Sequence, residues 1–324
     1  MKLPRRQFLH LAAGAAALPA VSRIARALAF PTRPVRLLVG FAPGGPNDIV
    51  ARLVGERLSA IWGKPVVIDN VTGVSGNLAA DRVAKSAPDG YTLLMAAAAQ
   101  IVVNLSLYQK MTFDPTKDLT PISQLSSFAN ILAVHNDVPA KTVQDLIALA
   151  RKQPGDASGG VGTSNHLAGE LFKSMANIDI RHVPYRSLAL AVPDLLAGRV
   201  SMAFLSTTYL QLVREGKLRG FAVSSLKRAA AAPDLPTMAE SGFPDFDATG
   251  WFGLMAPAGT SPAVVDKIQR DAVSILSLPE LRKKLDELGL EPIGNTPAEF
   301  AAAIKSEISQ WAKVIKEAGI KQDE

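Results

Sequence analysis

The order of apolar and polar positions alternates between short strands and amphipathic helices along most of the chain. Residues 35–40 form an apolar run with the length of a buried strand. Apolar positions then recur at helical spacing from Ile49 to Leu58. The same pattern predicts strands at residues 64–69, 91–96, 128–135, 182–185, 200–204, 218–223 and 251–256, and helices at 78–84, 142–152, 167–175, 191–196, 263–276, 279–288 and 297–318. This alternation predicts parallel α/β sheets.

A glycine turn joins the first strand to the first helix. Candidate ligand-binding residues in it are Phe41, Ala42, Gly44 and Gly45. Paired glycines accept positive φ angles and let a ligand approach the backbone. The following Pro46 suits the first turn of a helix, where its missing N–H costs nothing. Main-chain N–H groups at such a helix start carry a partial positive charge, so the sequence predicts an anion site here.

Asp48 has two readings in this unit. It lies three residues after Gly45, where a carboxylate can cap its own helix. It could instead bind the amine of a ligand. Capping is favoured, because the carboxylates of Asp48 and of a ligand would repel each other at one helix start.

A second glycine-rich loop, residues 158–166, opens another predicted helix, and Thr163 or Ser164 can serve as its N-cap. His166 falls in the first turn, either as a ligand contact or as a solvent-facing histidine. The run from residue 160 resembles a dinucleotide fingerprint but lacks the final glycine. Neither a phosphate-binding P-loop, a nucleophile elbow, nor a zinc-peptidase motif occurs in the sequence, so we predict no catalytic residue, metal or cofactor.

Composition limits the class of protein. The chain has 324 residues, 48% hydrophobic and 20% charged, which is enough for two globular domains. It has no Cys, so disulfides and thiolate metal sites are excluded. The net charge of +6 depends on five N-terminal Lys and Arg residues, and +1 remains without them. We therefore predict no nucleic-acid partner.

Residues 1–29 have the order of an export signal. A basic start precedes an Ala/Leu-rich stretch, and a small-residue cleavage site ends near Ala29. The run R-R-Q-F-L at residues 5–9 is similar to the twin-arginine export motif, and an ordinary secretory signal is the alternative. The apolar stretch is too short for a stable membrane span. We expect a periplasmic protein that is soluble after cleavage.

Several stretches, taken in order, resemble one family of receptors. The first is P-V-R-L-L-V-G-F-A-P-G-G-P-N-D at residues 34–48, which includes the strand and glycine turn above. The chain is similar to the substrate-binding receptors of tripartite tricarboxylate transporters, the Bug or TctC family. Supporting stretches are D-G-Y-T-L-L at 89–94, F-D-P at 113–115, G-T-S-N-H-L-A-G-E-L-F at 162–172, H-V-P-Y-R at 182–186, G-K-L-R at 216–219 and P-D-L-P-T at 233–237.

The resemblance implies the type II periplasmic binding protein fold, an α/β architecture of two domains with a ligand cleft between them. Domain 1 would comprise residues 30–128 and 251–324, and domain 2 would comprise residues 129–250. It further implies a monomer that holds a small carboxylate through backbone groups of two loops and delivers it to membrane transporter subunits. The expected ligand contacts beyond the first turn are Ala97, Gln100, Gly162, Thr163, Ser164, Asn165, His166 and Ser206.

Two departures from the family pattern bear on the ligand. The family usually has small hydroxyl residues after Leu94, where this chain has A-A-A-A-Q at residues 96–100. It commonly has Asp after Phe204, where this chain has Leu205. We expect a pocket less polar than a citrate or amino-acid site, suited to an aromatic or branched monocarboxylate.

Two other functions fit parts of the sequence. A receptor that only signals to a sensor protein would share every feature above, and genes next to its own would distinguish the two. An exported enzyme acting on carboxylates would need a nucleophile–base pair or a metal cluster, and the motifs supply neither. We therefore expect a receptor and not an enzyme.

Overall fold

Two mixed β-sheets, each flanked by helices, form the protein in the computed structural model, which describes residues 30–108, 110–152, 155–160, 163–185, 188–317 and 319–320. The predicted export signal lies outside these residues. The strands are β1 (Val35–Val39), β2 (Val66–Asn70), β3 (Thr92–Ala97), β4 (Leu119–Phe128), β5 (Asn130–Val134), β6 (Gly155–Gly160), β7 (Ile180–Tyr185), β8 (Met202–Ser206), β9 (Arg219–Val223), β10 (Gly250–Pro257) and β11 (Glu291–Pro292).

Helices of very different length connect these strands. They are α1 (Pro46–Trp62), α2 (Asn77–Ala84), α3 (Asn104–Leu107), α4 (Val143–Lys152), α5 (Ser164–Ala176), α6 (Leu188–Leu196), α7 (Leu210–Arg214), α8 (Pro262–Leu276), α9 (Pro279–Glu287) and α10 (Pro297–Glu317). A π-helical turn spans Ala99–Val103. Within the described ranges, no helix combines the length and the apolar content that a membrane span requires.

The first sheet has the strand order β11-β4-β10-β3-β1-β2, and we call it with its helices the first lobe. β1 pairs in parallel with β2 and β3, as predicted. β10 is antiparallel to both β3 and β4, so the prediction of an entirely parallel sheet was wrong. The reason is that the chain leaves this sheet at the end of β4 and re-enters it as β10, which runs in the opposite direction.

The second sheet, in the second lobe, has the order β7-β6-β8-β5-β9. β6 is parallel to β7 and β8, whereas β5 is antiparallel to β8 and β9. β6 was predicted as part of a glycine-rich loop, because its sequence G-D-A-S-G-G has low strand propensity. Pairing with a strand on each side overrides that local preference.

The chain crosses between the lobes twice, at residues 128–130 and 248–250, which we call the crossing segments. Residues 128–135 were predicted as one strand, but Ala129 separates β4 from β5. A side chain on Gly250 would collide with the ring of Phe128, so only glycine fits where the two segments touch. The two crossing segments therefore lie in direct contact.

Large aromatic residues fill the core of the first lobe. The predictions that Trp62, Trp251 and Trp311 lie in the core are confirmed, because all three are buried. Trp251 packs edge-on against Phe300 of α10, with ring centroids 5.0 Å apart. The same helix also contacts α5, so the carboxyl-terminal helix touches both lobes.

Candidate ligand-binding site

The turn after β1 presents main-chain groups to solvent. Gly44 adopts a φ of 81°, and a side chain at this position would meet open space. Gly45 is the N-cap of α1 and makes no side-chain capping bond, and Pro46 begins the helix. Ile49 donates to the Gly45 carbonyl at 2.9 Å, so the earlier N–H groups of the helix have no intrahelical partner. Ala42 and Gly44 are exposed, and Phe41 and Gly45 are half-buried.

The side chain of Asp48 holds this turn in place through hydrogen bonds. One of its oxygens accepts the Gly44 N–H at 2.9 Å and the Arg52 Nε–H at 2.8 Å. The other accepts Arg52 Nη2 at 3.0 Å and Asn70 Nδ2 at 2.9 Å. Burial alone would raise the pKa of Asp48, but these hydrogen bonds outweigh it and lower the pKa below 3.8. With both oxygens used, Asp48 secures the loop and has no acceptor left for a ligand amine.

Asn70 extends the same brace to the neighbouring strand. It ends β2, and its Nδ2 donates to the Phe41 carbonyl at 3.0 Å as well as to Asp48. Its Oδ1 accepts from Arg52 at 3.2 Å. Neither Asn70 nor Arg52 was predicted as part of the site. The spacing of Asp48 and Arg52, one helical turn apart, was the available signal.

Gln100 lies beneath the loops. Its side chain is fully buried, donates to the Gly76 carbonyl at 2.7 Å, and accepts the Ala97 N–H at 2.8 Å. A side chain on Gly40 or Gly76 would collide with it. The structure therefore places Gln100, which we predicted as a ligand contact, as a buried internal brace at the ends of three strands. Ala97 is also buried, and its N–H is already used.

A third loop, residues 73–76, was predicted as a glycine turn, but its residues were not among the predicted ligand contacts. Val74 and Ser75 both have left-handed backbone angles, with φ of 49° and 51°, between two glycines. Two such non-glycine residues in succession cost about 1–3 kcal/mol each, which the surroundings must offset. Tyr108 Oη contacts Ser75 Oγ at 3.0 Å, and Asn104 donates to Asn77 at 2.6 Å. The loop follows β2, so it lies beside the turn after β1, with Val74 59% exposed.

The second lobe contributes the start of α5. Thr163 is the N-cap by backbone position, with φ of −79° and ψ of 162°, but its side chain makes no capping hydrogen bond. Thr163 and Ser164 are half-buried, and Leu167 donates to the Thr163 carbonyl at 3.0 Å. Gly162, the remaining predicted contact in this loop, lies outside the described residues.

Asn165 and His166 point into the protein. Asn165 is 7% exposed and donates to Asn130 and to the Phe204 carbonyl, both at 2.8 Å. His166 is buried and stacks on His182, with ring centroids 3.9 Å apart. Both were predicted as ligand contacts, and a solvent-facing His166 was the alternative. Sequence patterns do not give side-chain direction in a first turn, and burial makes that alternative wrong.

The surroundings of His166 keep it uncharged. Burial, with the nearby His182 and Lys173, lowers the pKa of His166 from 6.5 to about 3. Its Nε2 lies 3.8 Å from a Glu170 carboxylate oxygen. The pKa of Glu170 is raised, mainly by burial. At neutral pH His166 therefore supplies no positive charge to the start of α5.

Ser206 ends β8, opposite Asn130 of β5. It is 7% exposed, and its Oγ accepts the Thr208 N–H at 3.4 Å. The adjacent Leu205 is fully buried in the core of the second lobe. Leu205 stands where the family commonly has Asp, and the effect of this difference on the polarity of the pocket stays a prediction.

The two sets of loops lie at the ends of strands nearest the crossing segments. In the first lobe, Ala97 at the end of β3 pairs with Phe252, close to Gly250. In the second lobe, β6 and β8 end beside Asn130. Ligands of open α/β sheets bind beyond these carboxyl ends. The starts of α1 and α5 thus each follow the carboxyl end of a strand, on the side of the crossing segments.

A family profile described as "TctC: Tripartite tricarboxylate transporter family receptor" matches residues 50–320. The chain belongs to this family. Among curated relatives, Protein BugT of Bordetella pertussis is 35% identical over 297 residues, which cover 90% of this chain and 91% of BugT.

Two solved structures of receptors with carboxylates are similar to this TctC-family receptor. R. palustris Rpa4515 with adipate is 38% identical with a TM-score of 0.82, covering 90% of this chain and 100% of that chain. MatC (Rpa3494) from Rhodopseudomonas palustris with bound malate is 30% identical with a TM-score of 0.78, covering 88% and 100%. The predicted type II periplasmic binding protein fold is confirmed. The family and these neighbours are solute-binding receptors and not enzymes.

Proposed function

We propose that this protein is a periplasmic receptor that binds a small carboxylate between its lobes and closes on it, and that it is not itself an enzyme. The observation that carries the proposal is the start of α1, where the N–H groups of Asn47 and Asp48 have neither a side-chain cap nor a main-chain partner among the described residues. Such groups bind anions without a charged side chain. Asp48, Asn70 and Arg52 hold the turn in place, so little reordering accompanies binding.

Closure of the lobes brings a second set of ligand contacts into place. The start of α5, where Thr163 is the N-cap residue, completes the contacts only when the lobes come together. A ligand that moves the open–closed ratio from 1:99 to 99:1 must favour the closed form by about 5.5 kcal/mol. The moving units we propose are residues 30–128 with 251–324, and residues 129–250.

The proposed ligand has a less polar body than citrate or an amino acid. Ala97 and Ala98 leave no hydroxyl group at the end of β3. The exposed Val74 adds an apolar side chain to the loop beside the carboxylate site. Asp48 is committed to Arg52 and the loop, which leaves an ammonium group without this partner. Aromatic, branched and long-chain aliphatic carboxylates fit these features best.

Isothermal titration of the purified receptor tests this assignment. The panel comprises benzoate, isovalerate, adipate, malate, citrate, aspartate and glutamate. We expect at least one of the first three to bind more tightly than every other compound. Tight binding of an amino acid alone would refute the ligand class, and binding of none would refute the carboxylate assignment. We further propose delivery of the ligand to the membrane subunits of a tripartite tricarboxylate-type transporter, with the receptor acting as a monomer.

A further inference from the structure

A buried chain of polar side chains runs through the lobe-to-lobe hinge. Asn130, the first residue of β5, and Ser224, just after β9, are both fully buried. Asn165, in the first turn of α5, is 7% exposed. Burying an amide or hydroxyl group is costly unless it is hydrogen-bonded, so the partners of these side chains show what they hold.

Asn165 uses both of its N–H donors inside the protein. One goes to Asn130 Oδ1 and the other to the Phe204 carbonyl of β8, each at 2.8 Å. Neither donor remains for a ligand carboxylate. The first turn of α5 is thus tied to β8 and to the first crossing segment through one side chain.

Asn130 passes the connection to the second crossing segment. Its Nδ2 donates to the Ala248 carbonyl at 2.6 Å, and its main-chain N–H donates to Ser224 Oγ at 2.8 Å. Ser224 Oγ in turn donates to the same Ala248 carbonyl at 2.8 Å. Main-chain bonds from Ser224 to Asn130 and from Ala248 to Ser224 complete the group. Both crossing segments are therefore fastened to each other where they enter the second lobe.

We propose that Asn165 is a positioning residue that joins the ligand-holding start of α5 to both crossing segments as one rigid unit. Bending between the lobes is then confined to Ala129 and Thr249, the residues between this network and the contact of Phe128 with Gly250. The inference rests on the proposed function in one respect, that α5 holds the ligand. Its consequence is that closing the hinge moves the start of α5 without changing its orientation to the crossing segments.

Electron paramagnetic resonance distances in the ligand-free receptor test the network directly. The chain has no Cys, so spin labels attach only to E56C in the first lobe and K152C in the second, both at exposed positions. We expect N165A and N130A to broaden the interlobe distance distribution. The double variant should broaden it by less than the sum of the two single variants, because the two side chains share one hydrogen bond. N104A removes an equally buried asparagine within the first lobe and should leave the width unchanged.

A wild-type-like width in folded N165A, or equal broadening in N104A, would overturn the proposal. Amide hydrogen exchange in the unmodified receptor gives a second measurement that does not depend on any variant folding. The amides of Ser224 and Ala248 should exchange slowly, and N165A should lose that protection. Rapid exchange of both amides in the wild type would show that no rigid unit exists.

Titration with adipate separates this inference from the proposed function. If the function is right, adipate shifts the interlobe distance of the wild type, and N165A binds it about fivefold more weakly. Unchanged adipate affinity in N165A would overturn the positioning role. No shift with adipate or any other carboxylate would contradict the proposed function, while the ligand-free widths still decide the inference about the hinge.

Discussion

Thr207 Oγ1 donates a 2.6 Å hydrogen bond to the carbonyl oxygen of Gly289, and this bond joins the two lobes behind the hinge. Thr207 follows β8 of the second lobe, and Gly289 lies between α9 and β11 of the first. Gly289 has a φ of 66°, and a side chain there would lie 2.8 Å from Thr207. A side chain at position 289 would therefore collide with Thr207. Loss of the Thr207 hydroxyl group would leave the Gly289 carbonyl without its donor.

Removal of the Thr207 hydroxyl tests this bond. T207V keeps the shape of the side chain but leaves a carbonyl without its donor, which should lower the free energy of unfolding by about 1–2 kcal/mol in urea titration. The adjacent Thr208 provides the control, because its buried hydroxyl has no partner among the described residues. T208V should be neutral or stabilising. Equal losses in both variants would show that the bond contributes nothing.

Two glycines with left-handed backbone angles, Gly44 and Gly63, allow a matched pair of variants. Gly44 and Gly63 flank the two ends of α1 with φ of 81° and 60°, and a side chain at either meets open space. Alanine at such angles costs about 1–2 kcal/mol of backbone energy, so G44A and G63A should lose similar stability. Only G44A should weaken carboxylate binding in isothermal titration. Equal weakening in both variants would count against the turn as the binding element.

Asp48 should make the turn sensitive to acid. Its folded-state pKa lies below 3.8, so its stabilising contribution is complete above that value and is lost as the pH falls towards the lower folded-state pKa. D48N should destabilise the receptor at neutral pH, and the difference from wild type should shrink as the pH falls through this window. D81N is the control, because Asp81 of α2 forms the same kind of one-turn pair with Lys85, the C-cap residue of that helix. We expect D48N to weaken carboxylate binding and D81N to leave it unchanged. An equal loss of carboxylate affinity in both variants would refute the bracing role of Asp48.

Glu307 should make the receptor less stable in alkali. Burial, opposed by the hydrogen bond from Trp251 and reinforced by the charge of Asp247, raises the pKa of Glu307 from 4.5 to about 7. Because the pKa is higher in the folded state, Glu307 stabilises the fold fully below pH 4.5. This stabilisation is lost as the pH rises through about 7. E307Q keeps an acceptor for Trp251. Above a pH of about 7, its free energy of unfolding should exceed that of the wild type by about 1–3 kcal/mol.

Thermal or urea unfolding at several pH values measures this difference. We expect E307Q and wild type to converge in mild acid, because Glu307 is then protonated in both states of the wild type. A stability gap that does not change with pH would mean that the carboxyl group is ionised with an ordinary pKa in the folded protein.

The sequence predicted the parts of the site that local chemistry determines. The strand at residues 35–40, the glycine turn and the helix begun by Pro46 all follow from short-range patterns, and the structure confirms these elements. The loop before α5 was equally visible, because a cap residue follows a run of glycines. Chain length and the alternation of strands and helices predicted two α/β units, and the resemblance to a receptor family added their boundaries and the expected cleft between them.

The remaining features depend on contacts between distant residues. β4 escaped prediction because Pro121 and several serines interrupt its apolar pattern, yet β10 and β11 pair with it on either side. Gln100 and Asn165 were expected at the ligand because of where they fall in the family pattern. Burial turned both inward, towards Gly76 and Asn130, which are far away in sequence. Periodicity describes which positions are apolar, but not which buried amide a distant strand needs.

A crystal structure of the receptor with its tightest-binding carboxylate tests the central claim most directly. We predict that the carboxylate oxygens lie within about 3 Å of main-chain N–H groups at residues 41–48 and at the start of α5. A carboxylate bound away from both helix starts, or held mainly by Arg or Lys side chains, would contradict it.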